Sequence, residues 1–219
     1  MKKTFWLLLT LCVSIMLPFK TALGAASAAP LRLLALGDSL TAGYGLGPDD
    51  GFTAQLERAL KGRGLAVTVV NAGVSGDTAE GGRARLDWVL GAGADAAIVE
   101  LGANDMLRGM DVAGTRAALD AILTRLNDQK IPVLLAGMKA APNLGPDYGT
   151  RFDRLYPDLA AAHGAMLYPF FLDGVAGDAS LLQADGLHPN ARGVAVIVDR
   201  MLPAVEALLA AAKSSGPPP

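Results

Sequence analysis

Asp185 and His188 stand together in Ala184-Asp-Gly-Leu-His-Pro-Asn190, and Ser39 lies far upstream in Gly37-Asp-Ser-Leu40, just after an apolar run. A hydroxyl is a weak nucleophile unless a base takes its proton, and an imidazole oriented by a carboxylate can be that base. A serine at the carboxyl end of a strand, with its two partners supplied by one late loop, has the parts of an acyl-transfer site. The chemistry to expect is ester hydrolysis.

These residues need a scaffold that brings distant segments to one edge. Between residues 31 and 171 short apolar runs alternate with longer stretches of helical periodicity. Leu31 to Leu36, Ala66 to Val70, Ala96 to Leu101, Val133 to Ala136 and Ala165 to Tyr168 read as strands, apolar enough to be covered on both faces. Phe52 to Lys61, Thr78 to Leu90, Val112 to Gln129 and Phe152 to Ala162 read as helices between them. Strands alternating with helices imply an α/β fold with a parallel sheet and right-handed crossovers. After Asn190 as a cap, a last helix puts Val194, Ile197, Val198, Met201, Leu202, Val205, Leu208 and Leu209 on one stripe that packs on the sheet. Pro203 should kink that helix or begin a new segment.

In an open parallel sheet, sites form beyond the carboxyl ends of the strands. Four motifs fall there: Gly37-Asp-Ser-Leu40, Asn71-Ala-Gly-Val-Ser-Gly-Asp-Thr78, Gly102-Ala-Asn-Asp105 and the Asp185 to His188 loop. Each alone has a plain reading as a turn, a turn glycine or an Asx residue. Together, at one edge, they make a site.

The combination of Ser39, Gly73, Asn104 and His188 within these motifs resembles the SGNH (GDSL) hydrolases, over roughly Leu31 to Leu209. Within them it looks most like the periplasmic branch called arylesterase, acyl-CoA thioesterase I or lysophospholipase L1. The resemblance implies a flavodoxin-like three-layer αβα fold, a five-stranded sheet of order 2-1-3-4-5, and a serine hydrolase mechanism without a cofactor. It also implies medium-chain acyl and aryl esters as substrates.

Physical roles can be assigned beside it. Ser39 is the nucleophile and His188 its base, while Asp185 accepts the other imidazole N–H and holds the tautomer that faces Ser39. His163, the second of two histidines, reads as a helix C-terminal residue favourable to the dipole. A tetrahedral oxyanion needs donors already in place; the backbone N–H groups of Ser39 and Gly73 and the amide of Asn104 fit. Asp38 and Asp105 read as turn residues, and Asp77 or Thr78 as a helix cap. The sequence lacks Gly-x-Ser-x-Gly, so no α/β-hydrolase elbow is present. No metal-ligand spacing occurs, and Gly43-Tyr-Gly-Leu-Gly47 lacks the Lys-Ser/Thr of a phosphate loop, so it reads as a mobile loop near the nucleophile.

Composition sets the surroundings. Of 219 residues, 52% are apolar and 18% charged, which fits one globular domain and excludes a disordered chain. Lys2 and Lys3, the apolar run Phe5 to Phe19 and the small residues Ala26-Ser-Ala28 have the parts of a secretory signal peptide over residues 1–28, with cleavage after Ala28 or, second, after Gly24. The alternative is an anchor, but the 15-residue run, broken by Thr10, Ser14 and Pro18, falls short of the roughly 20 needed to span a bilayer. Cleavage would leave residues 29–212 as the hydrolase domain, no stable membrane anchor, and a tail 213–219 expected to be disordered. It would also remove the only cysteine, Cys12, and leave 16 basic against 21 acidic groups, a net charge near −5 with no basic patch for nucleic acid.

Met106, Leu107 and Met110 follow Asn104, and Pro142 to Tyr148 form a second loop on the same edge, so these could wall an apolar groove for a small ester or lipid-like substrate. They could equally just cover the sheet. A rival enzyme reading is a carbohydrate or cell-wall O-acetyl esterase, although 5% aromatic residues offer little surface for sugar stacking. A rival from another class is a non-catalytic binding module, which would not need Ser39, Asn104, Asp185 and His188 at once.

Overall fold

The structure, a computed structural model, describes residues 29–215. The signal segment 1–28 and residues 216–219 lie outside the described residues. β1 (Leu31–Gly37) is followed by a short helix α1 (Ser39–Ala42) and by α2 (Phe52–Gly62). β2 (Val67–Gly73), α3 (Ala79–Leu90), β3 (Ala96–Glu100), the short α4 (Ala103–Leu107) and α5 (Val112–Asp128) come next. β4 (Val133–Ala136), a 3₁₀ turn (Pro142–Leu144), α6 (Pro146–His163), β5 (Met166–Tyr168) and α7 (Ala191–Ser215) complete the chain.

All strand pairs are parallel, in the order β2-β1-β3-β4-β5. α2 packs with α7, while α3 packs with α5 and α5 with α6, which gives the three layers. The middle of the sheet is apolar on both faces because both are covered: Leu33 to Leu36 of β1 and every residue of β3 are buried. Each fully buried leucine there is worth about 1.5–3 kcal/mol against exposure. The edge strands depart from the expectation of double coverage. Val69 and Val70 of β2 and all of β5 are only half-buried, and Asn71 is exposed, since an edge strand lacks a neighbour on one side.

The stripe predicted for the last helix is buried throughout, from Val194 to Leu209. Asn190 caps it, its Oδ1 accepting the N–H groups of Arg192 and Gly193 at 3.0 and 3.1 Å. Pro203 begins no new segment. It sits on the exposed side of a continuous helix, where water can satisfy the carbonyl its ring leaves free. That helix also runs through Lys213 and Ser214 to Ser215, into the stretch expected to be disordered, and the Ser214 hydroxyl donates back to the carbonyls of Ala210 and Ala211. α6 starts a turn and a half earlier than its apolar periodicity shows, with Pro146 at its first position, where a missing N–H costs nothing.

Candidate active site

Loops at the carboxyl edge of the sheet carry the predicted site. Ser39 opens α1 directly after β1, and Asp38 caps that helix by accepting the Leu40 N–H at 3.0 Å. The serine is 9% exposed, and its backbone N–H is among those a helix start leaves without an intrahelical partner. His188 Nε2 lies 2.9 Å from Ser39 Oγ, and His188 Nδ1 lies 2.6 Å from Asp185 Oδ2. The other carboxylate oxygen, Asp185 Oδ1, accepts the N–H groups of His188 and Leu187 at 3.0 and 2.9 Å. Those backbone bonds, with the ring contact added, hold the Asp185 carboxyl down to about 2, so it stays ionised across any working pH.

Asn104 sits in α4, after β3, and its Nδ2 donates one N–H to Asp38 Oδ2 at 2.9 Å. The second N–H of that amide has no hydrogen-bond partner among the described residues. Gly73 is not brought to a donor role. Its N–H donates to Asn71 Oδ1 at 2.9 Å, and a Cβ at this position would stand 2.2 Å from the Ala42 backbone nitrogen. Gly73 is a glycine so that β2 can pass directly under α1. Three residues on, the carbonyl of Gly76 is held by Arg108 at 2.8 Å, while its N–H has no partner among the described residues. Sequence reasoning missed this residue because two glycines in one loop look alike until their N–H groups are traced.

Ser39 and His188 open onto a cavity of about 260 Å³. Met106 and Leu107 line it, as predicted, together with Asn104. Met110, Pro142 and Tyr148 do not: Tyr148 stacks on Phe152 and its hydroxyl donates to the Met110 carbonyl at 3.0 Å, bracing α6 against the loop beyond α4. In their place stand Met138, Lys139 and Ala141 from the loop after β4, Phe170, Leu172 and Ala176 after β5, and Leu187. The Lys139 ammonium lies 5.1 Å from the Phe170 ring centroid. These residues are scattered over two loops with no shared period, so no sequence signal marked them as one wall.

Residues 35–196 match the profile of the GDSL-like Lipase/Acylhydrolase family. The chain belongs to that family. As a GDSL-like hydrolase of the SGNH type it has relatives with esterase names. Esterase TesA of Pseudomonas aeruginosa is 40% identical over 183 residues, 83% of this chain and 91% of that protein. Thioesterase 1/protease 1/lysophospholipase L1 of Escherichia coli K12 is 35% identical over 192 residues, 84% of this chain and 87% of that one. Among solved structures, AlinE4, described as an SGNH-hydrolase family esterase, is 47% identical with a TM-score of 0.70, covering 82% of this chain and 97% of its own. The GDSL-like chain is accordingly an esterase-type hydrolase. Among its described residues no helix is long and apolar enough to cross a membrane.

Other acidic residues of this GDSL-like fold have structural partners. Thr78 caps α3 through the Gly81 N–H, and Asp77 pairs with Arg85 at 2.6 Å. Buried Asp105 accepts the Ala79 N–H at 2.9 Å and the Thr115 hydroxyl at 3.1 Å, tying α4 to α3 and α5. His163 bridges to Asp120 at 2.7 Å at the end of α6.

Beneath Ser39 lies a pair of buried carboxyls, Asp38, which reads from the sequence as a turn residue, and Glu100, which the sequence does not single out. Burial pushes Asp38 up to about 6 and Glu100, fully enclosed at the end of β3, well above its ordinary value, with the Asp38 charge adding to the second shift. Glu100 Oε2 accepts the Thr41 hydroxyl at 2.8 Å and the Asp38 N–H at 3.4 Å, while Oε1 has no partner. Burial and the neighbouring Asp38 charge both favour the protonated form of Glu100. A carboxyl raised by folding keeps a proton that the unfolded chain has already released above about pH 4.3, so its cost to stability grows as the pH rises until the folded value is reached. Glu100→Gln, isosteric with the protonated acid, should gain on the parent as the pH rises above about 4.3, by up to about 1.4 kcal/mol per pH unit until the folded value is reached. Denaturant midpoints of the two proteins at pH 5 and 8 test this; a gap that does not change with pH means Glu100 is ionised in the native state.

Proposed function

We propose that this hydrolase cleaves carboxylic esters with aryl leaving groups or medium-length acyl chains through an acyl-enzyme, and that acyl thioesters and lysophospholipids are also substrates. The observation that carries the reading is the 2.9 Å contact of His188 Nε2 with Ser39 Oγ at the mouth of an apolar cavity. His188 takes the Ser39 proton as Oγ bonds to the carbonyl carbon, and the negative charge develops on the carbonyl oxygen. The Asn104 amide, the Ser39 N–H and, in place of Gly73, the Gly76 N–H receive that charge. His188 then gives the proton to the departing alkoxide or thiolate as its bond to carbon breaks. Water, deprotonated by the same imidazole, releases the acid and restores Ser39. Nothing in these steps calls for a cofactor. Residues 1–28 as a signal peptide would place the enzyme in the periplasm or outside the cell.

Asn104→Ala is expected to lower kcat by about 10²- to 10³-fold, the usual loss for one oxyanion donor, with KM little changed. An effect confined to KM would make Asn104 a ground-state binding residue.

Substrate choice follows from the wall. Each methylene buried against Met106, Leu107, Met138 and Phe170 can contribute up to about 0.8 kcal/mol, so kcat/KM for p-nitrophenyl esters should climb from C2 until the cavity is full. Leu107→Ala should flatten that climb and leave acetyl ester turnover near the parent's, because an acetyl group does not reach the wall. Equal losses at every length would show that Leu107 acts through α4 and Asn104 instead. Fastest turnover at C2 in the parent would favour the O-acetyl esterase reading.

A further inference from the structure

His188 and Ser39 are 149 positions apart in the chain, and residues 169–190, which deliver the histidine, contain no regular element beyond the single bridge of Leu182 with Pro189. Asp185 orients the imidazole, but it belongs to the same loop and cannot set that loop's distance from Ser39. Something must span the two.

Gln183 does. Its Nε2 donates to the Tyr44 carbonyl at 2.8 Å, on the nucleophile side, and to the Pro189 carbonyl at 2.9 Å, on the histidine side. Both targets are acceptors, so only the amide's N–H₂ end can face them, and its two hydrogens are both used. The Gln183 backbone N–H donates to the His188 carbonyl at 2.7 Å, and the Tyr44 N–H donates to the Ser39 carbonyl at 3.0 Å. A chain of hydrogen bonds thus runs from Ser39 through Tyr44 and Gln183 to His188. The Tyr44 ring closes the arrangement: although 52% exposed, it lies against the imidazole with centroids 4.6 Å apart. Gly45 leaves room for the amide, since a Cβ there would stand 2.3 Å from Gln183 Oε1. The glycine-rich segment expected to be a mobile loop is therefore held at both ends of this contact.

We propose that Gln183, with Tyr44, is a positioning clasp that sets the approach of His188 to Ser39. The proposal rests on the serine-esterase reading above. Gln183→Glu keeps the shape but turns both donors into acceptors facing carbonyls; Gln183→Leu removes the polar group. Both should lower kcat by about 10- to 100-fold, the scale of an ångström-sized misplacement, with KM within about twofold. A chromogenic phosphonate should still titrate one site per folded molecule, only more slowly. The downfield proton resonance of His188 Nδ1–H facing Asp185 should survive in Gln183→Leu, since that contact lies inside the loop.

Two results would overturn the clasp: kcat equal to the parent's in both Gln183 variants, or a loss that only tracks the number of titratable sites, which would make Gln183 a folding residue. Ser39→Ala, run alongside, separates the questions. Activity surviving in that variant would sink the serine mechanism itself, whereas an inactive Ser39→Ala beside fully active Gln183 variants would sink the clasp alone.

Discussion

Ser39→Ala should bring ester hydrolysis down to background, a loss on the order of 10⁴- to 10⁶-fold, because no acyl-enzyme can form and only binding and oxyanion donors remain. The fold should be untouched: the hydroxyl's hydrogen bond is to His188 Nε2, and α1 is capped by Asp38, not by the serine. Circular dichroism and thermal melting check the fold, and a p-nitrophenyl butyrate assay checks the rate. The decisive measurement is mass spectrometry of the parent after phosphonate treatment. One adduct on Ser39 is expected; an adduct on Ser75 or Ser180 instead would move the nucleophile and overturn the mechanism.

Asp185→Asn should cost about 10⁴-fold in kcat with the loop geometry kept, the scale seen when a triad aspartate becomes an amide. The physical reason is in the bonds the carboxylate makes. Its Oδ1 accepts two backbone N–H groups, so an asparagine would keep its oxygen there and turn its NH₂ toward His188 Nδ1. That selects the tautomer with its proton on Nε2, facing Ser39, where a base is needed. The pH profile supplies a second check. Asp185, held to about 2, stays charged at every working pH, so loss of activity on the acid side cannot come from the orienting carboxylate and belongs to the base it orients. Activity flat from pH 5 to 9, or an Asp185→Asn enzyme as fast as the parent, would show that another residue is the base or its orienter.

The parts of the fold most legible in the sequence are those set by periodicity. β1, β3, β4, α2, α3 and α5 lie within a residue or so of their apolar patterns, because each pattern faces a covered layer. The resemblance carried the strand order. Less legible were elements built from capping and turn chemistry: α1, α4 and the first turns of α6 contain too few apolar residues to show a period. The same divide runs through the site. Ser39, Asp185 and His188 were readable because reactivity restricts residue type. The cavity wall was not, since any apolar side chain of suitable size can serve and Phe170 or Met138 looks like core. Glu100 was hidden inside the apolar run of β3, where a lone acid reads as the end of a strand.

Asp185 and His188 both sit in the loop before α7, whose first half is anchored by the buried side chains of Phe171 and Val175, while its exposed stretch from residue 184 to 187 is held by hydrogen bonds and lies beside the Tyr44 ring's contact with His188. None of the sheet's strands belongs to it. Segments held this way open at lower free energy than the core does. On warming, hydrolysis is therefore expected to stop, and on cooling to return, below the temperature at which the sheet melts, which activity and circular dichroism followed on one sample would show.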